Sequence, residues 1–173
     1  NYEYSLGLNG LGACSTQYAS EYMNVKSYDG KYVREISFKK GEPVTELSER
    51  ELDKKEKRTG TVIRWKPDLE VFTDINIPKE YFTDMLKRQA VVNSGVRFVF
   101  KWQTDRNEFD TEEYYYENGI TDYIAELAGD TAETKIAQFH LETKGRDRED
   151  MKDYKLIADV AFTVSKTVHQ LEY

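Results

Sequence analysis

The pair Asp29-Gly30 constrains this chain more than any other two residues. It separates two runs of strand-forming residues, 23–28 and 31–38. Asp-Gly is a strong signal for a two-residue hairpin turn, because both positions must accept a positive φ. Such a turn lays the two runs side by side as antiparallel strands. Side chains alternate along a strand, so Tyr32, Ile36 and Phe38 share one face of the returning strand. Gly41-Glu42-Pro43 ends it. A lone hairpin is marginal in water, so the remaining sequence must supply further strands or a covering helix.

It supplies both. Residues 45–57 are dense in Glu, Asp, Lys and Arg and read as a solvated connection with a short helix over 46–52. A strand entered through Gly60 follows over 59–65. Pro78 stands where a helix starts. Tyr81, Phe82, Met85, Leu86 and Ala90 then keep a 3–4 spacing to about Val92, where Asn93-Ser94-Gly95 stops the helix. Val96, Phe98, Phe100 and Trp102 alternate along a half-buried strand, with 113–117 as its expected antiparallel partner. Ile120, Tyr123, Ile124 and Leu127 again keep helical spacing after Gly119. The small, polar stretch 128–134 marks a domain boundary. Beyond it, two strands over 136–143 and 154–165 flank the charged loop 144–150. The fold class is α+β.

Composition narrows the function. The 173 residues are 39% hydrophobic and 33% charged, with thirteen Tyr and eight Phe, enough for a core under a charged exterior. The formal net charge of −7 makes the chain a poor surface for duplex DNA on its own. Cys14 is the single cysteine, which rules out an internal disulfide and a thiolate metal cluster. His140 and His169 are the only histidines and stand far apart. Neither a membrane-spanning apolar run nor a signal peptide is visible. A reducing, cytoplasmic setting is expected.

The chemistry concentrates at the start. Gly7-Leu8-Asn9-Gly10-Leu11-Gly12 runs into 13–20, a helix of small residues. A helix N-terminus leaves backbone N–H groups without intrahelical acceptors and carries partial positive charge. Glycines let such a loop close around a phosphate chain. The order is not that of a P-loop, because no Lys-Ser or Lys-Thr follows Gly12, and no strand leads in as a dinucleotide fingerprint requires. Read alone, the segment fits either a phosphate loop or a tight turn packed against a helix.

Gly7-Leu8-Asn9-Gly10-Leu11-Gly12 resembles the glycine-rich ATP-lid motif of the GHKL ATPases, and within them the G-L-H-G-V-G of the DNA gyrase B branch. The resemblance continues in order through Tyr2, Asp29-Gly30-Lys31, Arg58-Thr59-Gly60-Thr61, Trp65-Lys66-Pro67-Asp68, Asn93-Ser94-Gly95, Tyr116-Glu117-Asn118-Gly119-Ile120 and Gly145-Arg146-Asp147-Arg148. The chain is identified on these motifs with the ATPase subunit family of bacterial type II DNA topoisomerases. The resemblance implies the C-terminal part of a GHKL (Bergerat) ATPase domain over 1–127, a mixed sheet with helices on one face. Residues 128–173 would begin a transducer domain of the ribosomal-protein-S5-like fold.

It also implies roles. Gly7, Leu8, Asn9, Gly10, Leu11 and Gly12 would line the ATP phosphates, chiefly through the backbone N–H groups of 8–12. Tyr2 would lie near the adenosine, and the Thr61 hydroxyl would bond the adenine region. Asn9 departs from the family's His, which leaves backbone contacts intact but removes any imidazole role. The family's catalytic glutamate, its magnesium-binding asparagine and its adenine-reading aspartate precede this motif, and a phosphate-contacting lysine comes later. The resemblance thus implies a piece of a longer polypeptide that lacks its own catalytic base and metal ligand. ATP and Mg2+ are the implied ligands. DNA and a gyrase A-type subunit would meet other parts of the parent, and two B subunits would dimerise on ATP. Alternatives are a topoisomerase IV B subunit, a GHKL chaperone or mismatch-repair ATPase, and a non-catalytic nucleotide-binding module.

Other residues carry weaker expectations. Glu112, Glu113 and Glu117 beside Tyr114 to Tyr116 read as a solvated edge rather than a metal site. His140 could pair with Glu142 across Leu141, but a structural contact is the better reading, and Cys14 is expected to be buried as a small apolar residue. Arg146 and Arg148 read as a solvated loop held by Asp147 and Asp150, with DNA or a partner subunit as the other possibility.

Overall fold

A computed structural model describes residues 10–146, 148–150 and 152–166. The chain divides between Asn76 and Ile77 into two compact units. The border expected at 127/128 falls inside the second of them. The α+β reading holds, with three α-helices and antiparallel sheets among the described residues.

The first unit opens with helix α1 (Leu11–Tyr18) and continues into β1 (Ser20–Asp29), β2 (Tyr32–Lys39), β3 (Glu42–Pro43), β4 (Ser48–Glu51) and β5 (Thr59–Pro67). The strands form one sheet in the order β3-β2-β1-β5, with β4 also paired to β2. The hairpin forms as expected, but its loop is Gly30-Lys31, flanked by Asp29 and Tyr32, and the ladder closes on the pair Tyr28–Val33. The Asp29 carboxylate explains the choice. It accepts from the Lys31 and Tyr32 backbone N–H groups at 2.9 and 2.7 Å, so Asp29 acts as the side-chain clasp of the turn. Gly30, at φ 92, takes the conformation that L side chains disfavour. Those two N–H bonds, and then Arg34, hold the Asp29 carboxyl down at about 2.

One element differs in type from the sequence pattern. The expected helix over 46–52 is strand β4, paired antiparallel with β2 from Tyr32↔Glu51 to Glu35↔Ser48. Its residues are all exposed, and charge at an edge strand deters pairing with other chains. Cross-strand attraction fixes it: Arg34 on β2 holds Glu49 at 2.7 Å. The sheet also buries a residue that the pattern did not single out. Tyr32, Ile36 and Phe38 do share a face, but Val33, on the other one, is 1% exposed.

In the second unit, α2 (Lys79–Val92), the hairpin β6 (Phe98–Asp105)–β7 (Glu108–Tyr114), α3 (Ile120–Ala128) and the hairpin β8 (Ala137–Gly145)–β9 (Tyr154–Phe162) follow in order. Helix α2 packs on β6–β7, and its Phe82 ring lies 5.8 Å from Phe100 and 6.4 Å from Trp102. These are the rings that the two periodicities predicted to face a core. The partner strand β7 starts five residues before its expected position, because the chain reverses at Asn107 with φ 68. Tyr115 and Tyr116 therefore lie beyond the ladder, and Tyr116 is buried instead. Helix α3 packs against β9.

Candidate nucleotide site

Gly10 caps α1 with φ 67 and ψ 12, a left-handed conformation for which glycine is the natural choice. The Cys14 N–H donates to the Gly10 carbonyl at 3.1 Å and closes the first helical turn. By helix geometry the N–H groups of Leu11, Gly12 and Ala13 have no acceptor within α1. The first turn contains no acidic residue to neutralise this positive end. Residues 11–15 are all exposed. A Cβ added at Gly10 or Gly12 would meet no atom of the described residues within 4 Å. Packing among the described residues therefore gives no reason for glycine at position 12.

Thr61 is exposed in β5, opposite Ser27 of β1. The register puts Thr61, Ile63 and Trp65 on the same side of the sheet as Met23, Val25 and Ser27. That side is apolar but half open, with Ile63 at 51% and Trp65 at 45% exposure. Thr61 and Ser27 are thus the hydroxyl-bearing end of an apolar sheet face. The structure places Gly10, Leu11 and Gly12 at the start of α1, which packs on β1, the neighbour of β5. Tyr2, Gly7, Leu8 and Asn9 lie outside the described residues.

The weaker candidates find specific partners. Glu112 pairs with Lys79 at 2.5 Å and accepts from the Tyr114 hydroxyl at 2.6 Å; these two bonds hold its carboxyl below the usual range. Glu113 pairs with Arg97 at 2.7 Å. His140 does not pair with Glu142: its Nδ1 lies 2.7 Å from Asp159 across the hairpin, while Glu142 holds Lys155. Residues two apart share a strand face, but the directly opposite residue on the next strand is closer. Cys14 is exposed, not buried, as is the whole first half of α1. Arg146 pairs with Asp153 at 2.6 Å. Asp147 lies outside the described residues.

One polar cluster had no signal in the sequence. Glu126 accepts from the Lys87 ammonium and the Tyr116 hydroxyl, both at 2.6 Å. Burial pushes the Glu126 carboxyl up, but these two bonds together bring it below its ordinary value. Burial, then Glu126, raises the Tyr116 hydroxyl, and burial, then Glu112, pushes Tyr114 up to about 12. Both tyrosines stay neutral donors, and the cluster ties α2, α3 and the segment after β7 into one unit.

The class of fold follows from comparison with solved structures. The crystal structure of the 43K ATPase domain of Thermus thermophilus gyrase B in complex with an aminocoumarin superposes with a TM-score of 0.64 and 24% identity, covering 84% of this chain and 39% of that one. The fold is that of a gyrase B ATPase domain. No protein-family model matches the chain. Among curated proteins, the B subunit of DNA gyrase from Staphylococcus aureus is 30% identical over 124 residues, covering 71% of this chain and 19% of the relative. The B subunit of DNA topoisomerase 4 from Bacillus subtilis is 32% identical over 127 residues, covering 73% and 18%. The chain belongs to this family of gyrase B and topoisomerase IV B subunits, and spans about a fifth of the length of the curated relatives it matches.

Proposed function

We propose that this chain forms the phosphate-gripping part of the ATP site in the B subunit of a bacterial type II DNA topoisomerase. The observation that carries the reading is the N-terminal turn of α1. It is exposed, has no acid of its own, and carries a glycine at position 12 that no packing among the described residues explains. A bound anion accounts for all three, because it needs free amides, positive potential and close approach of the backbone. Homology to gyrase B and topoisomerase IV B supports the same reading, at similar identity for each, so the proposal spans both enzymes.

In this role the backbone N–H groups of residues 8–12 donate to phosphate oxygens. The Thr61 hydroxyl bonds the adenine region, beside an apolar sheet face that suits a flat base, and Tyr2 lies near the adenosine. The chain orients nucleotide but holds no general base. The base and the Mg2+-binding asparagine belong to other parts of the parent protein, as does the apparatus for DNA and the A-type subunit. Residues 1–127 would complete the ATPase domain and 128–173 would open the transducer, which relays nucleotide state toward DNA. ATP-dependent pairing of two B subunits and a cytoplasmic location complete the proposal.

The test is calorimetric titration of the intact subunit with ATP, ADP and adenosine. Gly12→Val should weaken ATP and ADP and leave adenosine almost unchanged. Asn9→His keeps every backbone donor, so binding should survive. Equal loss for ATP and adenosine, together with a lower melting temperature, would mean that the glycine serves folding.

A further inference from the structure

Among the described residues, the attachments of helix α1 lie at one end. Residues 11–15 are exposed, while Thr16, Gln17 and Ala19 are half-buried and Ser20 is fully buried. The attachments crowd the last turn. The Gln17 side-chain Nε2 donates to the Gly41 carbonyl at 2.6 Å. The Tyr18 ring lies against Gly41, where an added Cβ would fall 2.6 Å from Cε1 and 2.9 Å from Cγ. Gly41 also has φ 86, so both its conformation and its missing side chain are required there. The Ser20 hydroxyl donates to the Thr16 carbonyl, and the Asp68 N–H donates to the Ala19 carbonyl at 3.0 Å.

The turn that receives α1 is pinned in its own right. Lys40, next to Gly41, reaches Glu70 at 2.5 Å and Asp68 at 3.8 Å, just past the end of β5. The last turn of α1 thus rests on a β2–β3 turn tied to the strand that carries Thr61.

We propose that Gln17, Tyr18 and Gly41 form a latch that sets where the glycine-bearing end of α1 points, which makes them positioning residues for phosphate binding. The proposal rests on the phosphate reading above. An eight-residue helix is a rod of about 12 Å. A tilt of about 10° at the latched end displaces the first turn by roughly 2 Å on that length, which is enough to break a hydrogen bond that holds only over a few tenths of an ångström.

The experiment measures ATP and adenosine affinity of the intact subunit, with hydrogen exchange of the α1 amides. Gln17→Met keeps the side-chain length but removes the amide that donates to Gly41, and should weaken ATP roughly two- to tenfold, the range for one lost hydrogen bond. Tyr18→Ala and Gly41→Ala should each weaken ATP and speed α1 exchange, whereas Tyr18→Phe, which keeps the ring, should do neither. Gly41→Ala should add less in a Tyr18→Ala background than alone. Adenosine affinity should hold throughout. If Gly12→Val weakens ATP while Gln17→Met and Tyr18→Ala leave it unchanged, the latch is refuted and the phosphate site stands. If Gly12→Val itself leaves ATP binding intact, the phosphate reading falls and takes the latch's role with it.

Discussion

Gly12→Ala separates folding from binding because the two effects have opposite signs. The residue lies in the first turn of α1 without positive φ, and a methyl group there would meet no atom of the described residues within 4 Å. Alanine should therefore fit the helix and stabilise it by about 0.5–1 kcal/mol, the usual difference from glycine. In a helix this short and this exposed, that gain should slow hydrogen exchange of the α1 amides roughly two- to fivefold, provided that exchange proceeds by local opening. A phosphate gripped by the same turn would meet the new methyl. Losing one charge-assisted hydrogen bond takes about 1.5–3 kcal/mol, or about ten- to a hundredfold in ATP affinity. Calorimetry with ATP and adenosine, beside exchange mass spectrometry on the intact subunit, reads both quantities. Slower exchange with unchanged ATP affinity would refute the reasoning: the glycine would then have no phosphate to accommodate.

Three further outcomes test the sheet and the second unit. Thr61→Val keeps a β-branched residue in β5, so the fold should persist while ATP affinity falls by about 0.5–1.5 kcal/mol; unchanged affinity in a titration removes Thr61 from the ligand set. Asp29, held at about 2, should stabilise the hairpin fully above the unfolded carboxyl pKa of about 3.9 and lose that contribution as pH falls through about 2. The melting-temperature gap between wild type and Asp29→Asn should thus be open at pH 6 and closed near pH 2, and a gap constant across that window contradicts the assignment. Phe82→Ala removes the ring that α2 lays on Phe100 and Trp102; because Phe82 is only half-buried, the loss should be about 2 kcal/mol, below the roughly 3–5 of a fully buried phenylalanine, measured by denaturant unfolding.

What could be read from the sequence was what neighbours along the chain determine. The α2 and α3 stripes and the alternation of Phe98, Phe100 and Trp102 are local periodicities, and each became the expected element. The glycine-rich loop feeding a helix was legible for the same reason, although α1 begins at Leu11, two residues before the expected start, with Gly10 as its cap. The misses lie where a distant partner decides. Ser48–Glu51 is a strand because β2 offers an edge and Arg34 offers a charge to Glu49; its own residues read as a solvated helix. His140 takes Asp159 because the register of β8 and β9 sets them opposite, and no spacing within one strand could reveal that.

The candidate site divides along the same line. The glycines announce a place where backbone can approach an anion, but they carry no information on how that place is held. That information lies in Gln17 and Gly41, which are 24 residues apart and meet through one hydrogen bond. Neither residue has a chemical signature of its own: glutamine is common on helices, and a glycine after a strand reads as an ordinary turn. Only the fold shows that this glycine must lack a Cβ for the Tyr18 ring to sit on it. In the proposed site, ligand contact would rest on backbone that local sequence can specify, and its orientation on a tertiary contact that local sequence cannot. For this reason substitutions at Gln17 and Tyr18, far along α1 from the glycines, are the sharper probe of how the loop is aimed.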